Sequence, residues 1–293
     1  RQGLKGAEEA TSSLGLTLIK DTNVGYDNTE TILTQAAKKE GVGLVIAHAS
    51  GFAEAADHAN AATGVPFLIA DFPDKQIPGK VGVMTFDAQQ GGYLAGIAAA
   101  MNTTSKKVGI AISADDINWF KMAGGFVAGA RSVDPKIQVD VAYVGAAGYD
   151  DAAGGKKVVS QLIAKGDDVI FGMGDGATIG YMAAVDAAPS PVKYIADIGD
   201  VSELAKNPDE VLTSVLWVFS GAYTQAIKDV ESGSFANAPY NLDLKNGGIV
   251  LQDNPNLSQA TKDAIAKATT GIEDGSITVP ATTTKDDLKA LLG

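Results

Sequence analysis

The chain has 293 residues, 45% of them hydrophobic and 20% charged, which at roughly 150 residues per domain is material for two compact domains or one large one. Its 23 Lys and Arg against 35 Asp and Glu leave a net charge of −12, which repels a phosphate backbone or an anionic membrane surface and excludes general nucleic-acid binding. There is no cysteine, so disulfides, thiolate metal ligands and cysteine nucleophiles are excluded, and no apolar run approaches the roughly 18 residues of a membrane helix.

Leu4, Ala7 and Ala10 recur at helical spacing directly after Arg1. Leu16–Lys20 reads as a strand and Tyr26–Lys39 as a second helix. A helix-first start is odd for a strand–helix–strand protein, so a further strand is expected upstream of Arg1, together with an export signal. Val42–His48 is a nearly continuous apolar run, as expected of a strand buried on both faces. A helix over Phe52–Ala62, strands over Val65–Ala70 and Val81–Phe86 and a helix over Gln89–Met101 follow. The polar stretch Asn102–Lys107 marks a first crossing between lobes.

A second series opens with a strand over Val108–Ile112 and a helix around Trp119–Arg131. Strand Ile137–Val144, helix Ala152–Lys165, strand Asp168–Phe171 and a helix running through Ala187 continue it. Strands Lys193–Ala196 and Val211–Leu216 close the series. Helix Ala222–Glu231 is expected to return to the first lobe. Gly247–Leu251 reads as a late strand, and Ser258 as the N-cap of a helix to Asp274 before a Thr-rich tail. The pattern predicts an α/β fold of two doubly wound parallel-sheet lobes with a central cleft. Lobe one is expected over 1–103 and 219–246, lobe two over 104–218 and 247–293. The further crossings fall near 217–221 and 243–252.

Catalytic signatures are missing. His48 and His58 are the only histidines and lie in no metal-binding pattern. No Gly-x-Ser-x-Gly elbow is present, and Gly154-Gly155-Lys156-Lys157 lacks the upstream glycine and the Ser/Thr of a phosphate loop. Gly172-Met173-Gly174-Asp175-Gly176 fails as a dinucleotide fingerprint because Ala177 stands where its last glycine belongs. No metal or cofactor is therefore expected. What remains are loops at the carboxyl ends of parallel strands, where open α/β sheets place ligands. They carry Ser50-Gly51-Phe52, Asp71-Phe72, Tyr149-Asp150, Gly174-Asp175-Gly176 and Asp197. Aromatic faces suit a flat ligand and carboxylates accept from hydroxyls. A nucleophile or base with an orienting partner is not among them. This is the equipment of a binding protein, not of an enzyme.

In these segments the chain resembles the basic membrane protein family, substrate-binding proteins of ABC importers, several of which bind purine nucleosides. The resemblance rests on Ser50-Gly51-Phe52, Phe67-Leu68-Ile69-Ala70-Asp71, and Phe86 with Tyr93-Leu94-Ala95-Gly96. It continues through Gly125-Phe126 with Ala128-Gly129-Ala130, Asp168-Val169-Ile170-Phe171, Leu212-Thr213-Ser214 and Gly275-Ser276-Ile277-Thr278-Val279-Pro280. It implies the type I periplasmic-binding-protein fold.

By the same resemblance, Asp71 and Phe52 become ligand-binding residues and Tyr149 the ring that stacks on the base. Gly174 and Asp175 form the turn that brings backbone to the ligand, and Asp197 grips the ribose hydroxyls, with Asp200 its close rival. The family's Phe-Asn pair falls before Arg1, which would place half of the stacking sandwich upstream. Trp217 stands where the family often has lysine and is a ligand-binding candidate or equally a core residue at a hinge. Trp119 and Phe120 read as packing. The implied partners are a small-molecule ligand, a purine nucleoside first and a sugar or other small polar solute as the alternative, and an ABC permease. The protein is expected to be a monomer, periplasmic or on the outer face of the cytoplasmic membrane from a lipid-anchored precursor. A cryptic enzyme and a ligand-sensing regulatory module are the competing classes; no DNA-binding helix pair is attached.

Overall fold

The structure is a computed structural model and describes residues 2–293. Arg1, before which the additional strand is expected, lies outside the described residues. Helices α1 (Gln2–Leu14) and α2 (Thr29–Ala37) precede the short strand β1 (Val45–Ile46), followed by α3 (Ala53–Thr63), β2 (Phe67–Ala70) and β3 (Val81–Phe86). Next come α4 (Ala88–Asn102), β4 (Lys107–Ile112), α5 (Ile117–Val133), β5 (Gln138–Tyr143) and α6 (Ala152–Ala164). The chain continues through β6 (Val169–Met173), α7 (Ala177–Val185), β7 (Lys193–Ala196) and β8 (Val211–Trp217). It ends with α8 (Ser220–Ser232), β9 (Tyr240–Leu242), β10 (Ile249–Leu251), α9 (Gln259–Glu273) and α10 (Lys285–Leu292).

These elements form two compact units. The first comprises the chain up to Phe86 with Val218–Leu242 and Asn246–Gly248. Its sheet is parallel throughout, in the order β1-β2-β3-β9. Every residue of β2 is buried, and Phe67 and Ile69 pack with Leu33, Phe52, Val81 and Val83 into one core. Helix α8 belongs to this unit, as the sequence suggested, and packs on α1, where a side chain at Gly6 would run into Phe219.

Two expected strands of this unit change. Leu16–Lys20 is not a strand: Leu16 and Ile19 are 44% and 46% exposed, and without a buried face or a ladder partner among the described residues its β-forming composition has nothing to act on. The run Val42–His48 contracts to Val45–Ile46, which among the described residues pairs with β2 only.

The second unit comprises Asp87–Trp217, Asp243–Lys245 and Ile249–Gly293. Its six strands run in the order β10-β8-β7-β6-β4-β5, all parallel except for β10 against β8. From β4 the chain first crosses to β5 on one side and then returns to β6 on the other, so its direction of winding reverses between β4 and β6. Such a reversal opens a crevice at the carboxyl ends of the strands. Asp116 at the end of the β4 loop and Gly174-Asp175 after β6 stand at that crevice.

Helix α4, expected with lobe one, is packed in the second unit. It is apolar almost all round, and such a helix must be enclosed. Its glycines bring it against α5 at backbone distance: a Cβ on Gly92 would lie 2.1 Å from the Met122 carbonyl oxygen, and one on Gly125 would lie 2.1 Å from that of Gln89. The chain therefore leaves the first unit at Phe86 and not near 102–107. The stretch 103–106 is instead a turn within the second unit, clasped by Asp168, whose carboxylate accepts from the amides of Thr104 and Ser105 at 2.7 and 2.8 Å. The later passages fall at Trp217–Val218 and between 242 and 249. The Thr-rich tail ends in α10, opened by a capping box between Thr284 and Asp287 and docked where Arg131 donates to the Leu291 carbonyl at 2.6 Å. Among the described residues no helix is long and apolar enough to cross a membrane.

Candidate ligand-binding site

The loop after β4 is fixed first. Asp115 N–H donates to the Ala146 carbonyl at 3.1 Å, tying this loop to the one after β5. Asp116 then caps α5, its Oδ1 accepting from the amides of Asn118 at 2.8 Å and Trp119 at 3.3 Å. Its Oδ2 accepts from the Tyr149 hydroxyl at 3.4 Å. The Tyr149 ring meets that of Trp119, with centroids 5.0 Å apart and planes at 49°. The Tyr149 carbonyl accepts from Ala177 N–H at 2.9 Å, which sets the β5–α6 loop against the start of α7.

The turn after β6 supplies Gly174 and Asp175. A Cβ at Gly174 would press on the Tyr181 ring, with Cε2 at 3.0 Å, so a larger residue here would have to displace that ring. Asp197 follows β7. It is 6% exposed, and one carboxylate oxygen, Oδ2, has no hydrogen-bond partner among the described residues. Burial, then the neighbouring Asp175 carboxylate, and more weakly Asp116, push its carboxyl well above the usual range against the stabilising amides of Gly174 and Asp197. Partial desolvation raises Asp175 too, followed by the charges of Asp150 and Asp116; Asp116 is raised by desolvation despite its hydrogen bonds.

The backbone beside Asp197 is unusual. Ile198 has φ of 60°, a left-handed conformation that a β-branched residue rarely adopts, and Gly199 N–H closes the tight turn onto the Asp197 carbonyl at 2.6 Å. Trp217 N–H holds the Ile198 carbonyl at 3.1 Å. Strain of this kind costs of order 1–3 kcal/mol and collects at functional sites.

Tyr149, Gly174, Asp175 and Asp197 thus surround one end of the second sheet. Trp217 ends β8 of the same sheet, 5% exposed and in register with Ile249. Asp200 is engaged elsewhere: its carboxylate accepts from Ser202 N–H at 2.8 Å and Oγ at 2.6 Å and from Gln252 Nε2 at 2.8 Å. Against partial burial, these bonds hold it below the usual range. Phe52 and Asp71 belong to the first unit. Phe52 is 8% exposed within that unit's core, and its ring lies 5.3 Å from that of Tyr26, which is 63% exposed. Asp71 adopts φ of 74° immediately after β2, its N–H donating to the Met84 carbonyl at 3.0 Å. Two residues escape the sequence reading, Asp116 and Tyr26. For Asp116 the signal was present: an acid at the end of the first strand of a series, just before a helix. Among the described residues no group of three His, Asp or Glu side chains could hold a metal ion.

Known proteins of the same build bear on this arrangement. The structure is similar to an ABC transporter solute-binding protein from Aeropyrum pernix K1, with a TM-score of 0.81 and 20% identity, covering 99% of this chain and 93% of that one. A solute-binding protein from Conexibacter woesei gives a TM-score of 0.77 at 21% identity, over 96% and 93% of the two chains. At these identities the likeness shows the fold, the type I arrangement expected from the sequence. In sequence, the chain is 33% identical over 215 residues to the ABC transporter nucleoside-binding protein BmpA of Lactococcus lactis, covering 67% of this chain and 59% of that protein. It is 27% identical over 207 residues to basic membrane protein A1 of Borrelia garinii, covering 66% and 57%. The matches thus span less than two thirds of the length of these curated relatives. A model of one family, the PnrA-like ABC transporter substrate-binding proteins, matches residues 1–283, and to that family, Bmp, the chain belongs.

Proposed function

We propose that this chain is the extracytoplasmic receptor of an ABC importer and that its ligand is a purine nucleoside, held by the crevice of the second unit. The observation that carries the reading is the buried Asp197 oxygen without a hydrogen-bond partner among the described residues, close to the Gly174 turn and the Asp175 and Asp116 carboxylates at the carboxyl ends of the strands. A carboxylate in that state accepts strongly from a pair of hydroxyls, and the Tyr149 ring offers a face to a planar base. Gly174 and Asp175 bring backbone and a second acceptor to the same place, and Trp217 closes the sheet end nearby. The nucleoside-binding name of the Lactococcus lactis relative points the same way. Delivery to a permease outside the cytoplasm and action as a monomer without chemical turnover complete the proposal.

The test is thermal. A ligand that binds only the folded protein stabilises it by about 2.7 kcal/mol at a hundredfold excess over Kd, enough to raise the melting temperature by several degrees. After unfolding and refolding to remove bound material, adenosine, guanosine or inosine should give this shift and be recovered intact. Ribose should give little, since it leaves the aromatic face uncovered. A sugar that matches the nucleosides would replace this reading with that of a sugar receptor.

A further inference from the structure

We infer that Asp116 is a positioning residue of the ligand site, a single carboxylate that sets the rings of Trp119 and Tyr149 in place before any ligand arrives. The inference rests on the reading that Tyr149 faces the ligand. The two oxygens of Asp116 have separate tasks. Oδ1 accepts from the amides of Asn118 and Trp119 and so fixes where α5 starts and where Trp119 leaves the backbone. Oδ2 takes the Tyr149 hydroxyl at 3.4 Å. Tyr149 is therefore held at its hydroxyl by this bond and at its backbone by the bond from Ala177 N–H to its carbonyl. Trp119 is 3% exposed and backs the tyrosine ring at 5.0 Å.

The arrangement assigns Trp119 a role beyond packing, as the wall against which Tyr149 rests. It also accounts for a side chain with two polar atoms at this position where a plain cap would serve. Serine and asparagine cap a helix as well as aspartate does, but serine has only one side-chain oxygen. An unfixed tyrosine would have to be ordered at the moment of binding, which weakens affinity; a fixed one avoids that cost.

Serine at this position separates the two tasks. Asp116→Ser keeps a cap and removes the acceptor for Tyr149, and Tyr149→Phe keeps the ring and removes the donor. Inosine binding is measured by calorimetry for both variants, for the double variant and for Asp116→Asn, which retains a capping oxygen and a second polar atom for the hydroxyl. Each single change should weaken binding about tenfold, the double change should cost no more than either alone, and Asp116→Asn should recover to within about threefold of the unaltered protein. The near-ultraviolet circular dichroism of the ring pair should fall in Asp116→Ser and in Tyr149→Phe. Binding of Asp116→Ser equal to that of the unaltered protein, or additive losses in the double variant, would reduce Asp116 to a helix cap and overturn the inference. If the unaltered protein binds no nucleoside, the ligand reading falls instead. The dichroism then judges the tether separately, and a spectrum unchanged by Asp116→Ser overturns it.

Discussion

Replacing Asp197 by asparagine should make the empty protein more stable and its complex weaker. This carboxyl is 6% exposed, has one oxygen without a partner among the described residues, and faces the carboxylates of Asp175 and Asp116. Its pKa is raised by folding, so the stability it contributes is complete below the pKa of the unfolded chain and is lost as pH rises through the folded value. Asp197→Asn should therefore melt with the unaltered protein in acid and above it at pH 8. Asparagine leaves a polar atom in the same place, so what it relieves is the burial of a charge beside two others, and at pH 8 this should raise the melting temperature by several degrees. Binding should move the other way. A charge-assisted hydrogen bond contributes about 1.5–3 kcal/mol, and about 1.4 kcal/mol is a decade of affinity, so the loss of one such bond weakens nucleoside binding at least tenfold. Differential scanning fluorimetry at pH 4 and pH 8 reads the first effect and calorimetry the second. Unchanged affinity in Asp197→Asn refutes the placement of ligand hydroxyls on this oxygen. A lower melting temperature at pH 8 refutes the claim that the buried charge is a burden.

A second carboxyl should show the same pH dependence without touching ligand: burial and then the adjacent Asp140 charge raise Asp167 from 3.8 to about 7, against Lys165 and Lys107. Asp167→Asn should leave the melting temperature unchanged near pH 4 and raise it progressively across that window, with nucleoside affinity unaffected when measured by calorimetry. Gly125→Ala should cost about 1–3 kcal/mol or more in urea unfolding, since its Cβ would lie 2.1 Å from the Gln89 carbonyl oxygen, while Gly145→Ala, with open space around it, should be neutral. Equal midpoints for the two glycine variants would mean that α4 and α5 are not locked at backbone distance.

Much of the fold was legible because four of the second unit's strands, β4, β6, β7 and β8, are almost wholly buried and bounded by turn residues; Lys193–Ala196 stands where composition alone puts it. Composition could not say which unit encloses α4, because a helix apolar on every side carries no information about its neighbour. Strand β9 was missed for a related reason: Tyr240–Leu242 is only three residues long and is a strand because β3 lies beside it. Leu16–Lys20 shows the reverse, a strand-like stretch with no ladder. At the site, Asp197 and Gly174 were marked by their place after strands. The dual use of Asp116 was hidden because it depends on a tyrosine 33 residues away.

The pairing of β9 with β3 also has a consequence for how the chain is made. Thr85 and Asn241, whose side chains meet at 3.0 Å across these strands, are 156 residues apart in sequence. At roughly 5–20 residues per second of synthesis, about 8–30 s separate the appearance of the two strands. Throughout that interval β3 presents an open backbone edge, the feature through which nascent chains pair wrongly with one another. Strands β4 to β8 are all synthesised within it, so the second unit's length acts as a clock on the first unit's completion. Lengthening a loop of the second unit therefore extends the exposure of an edge it never touches.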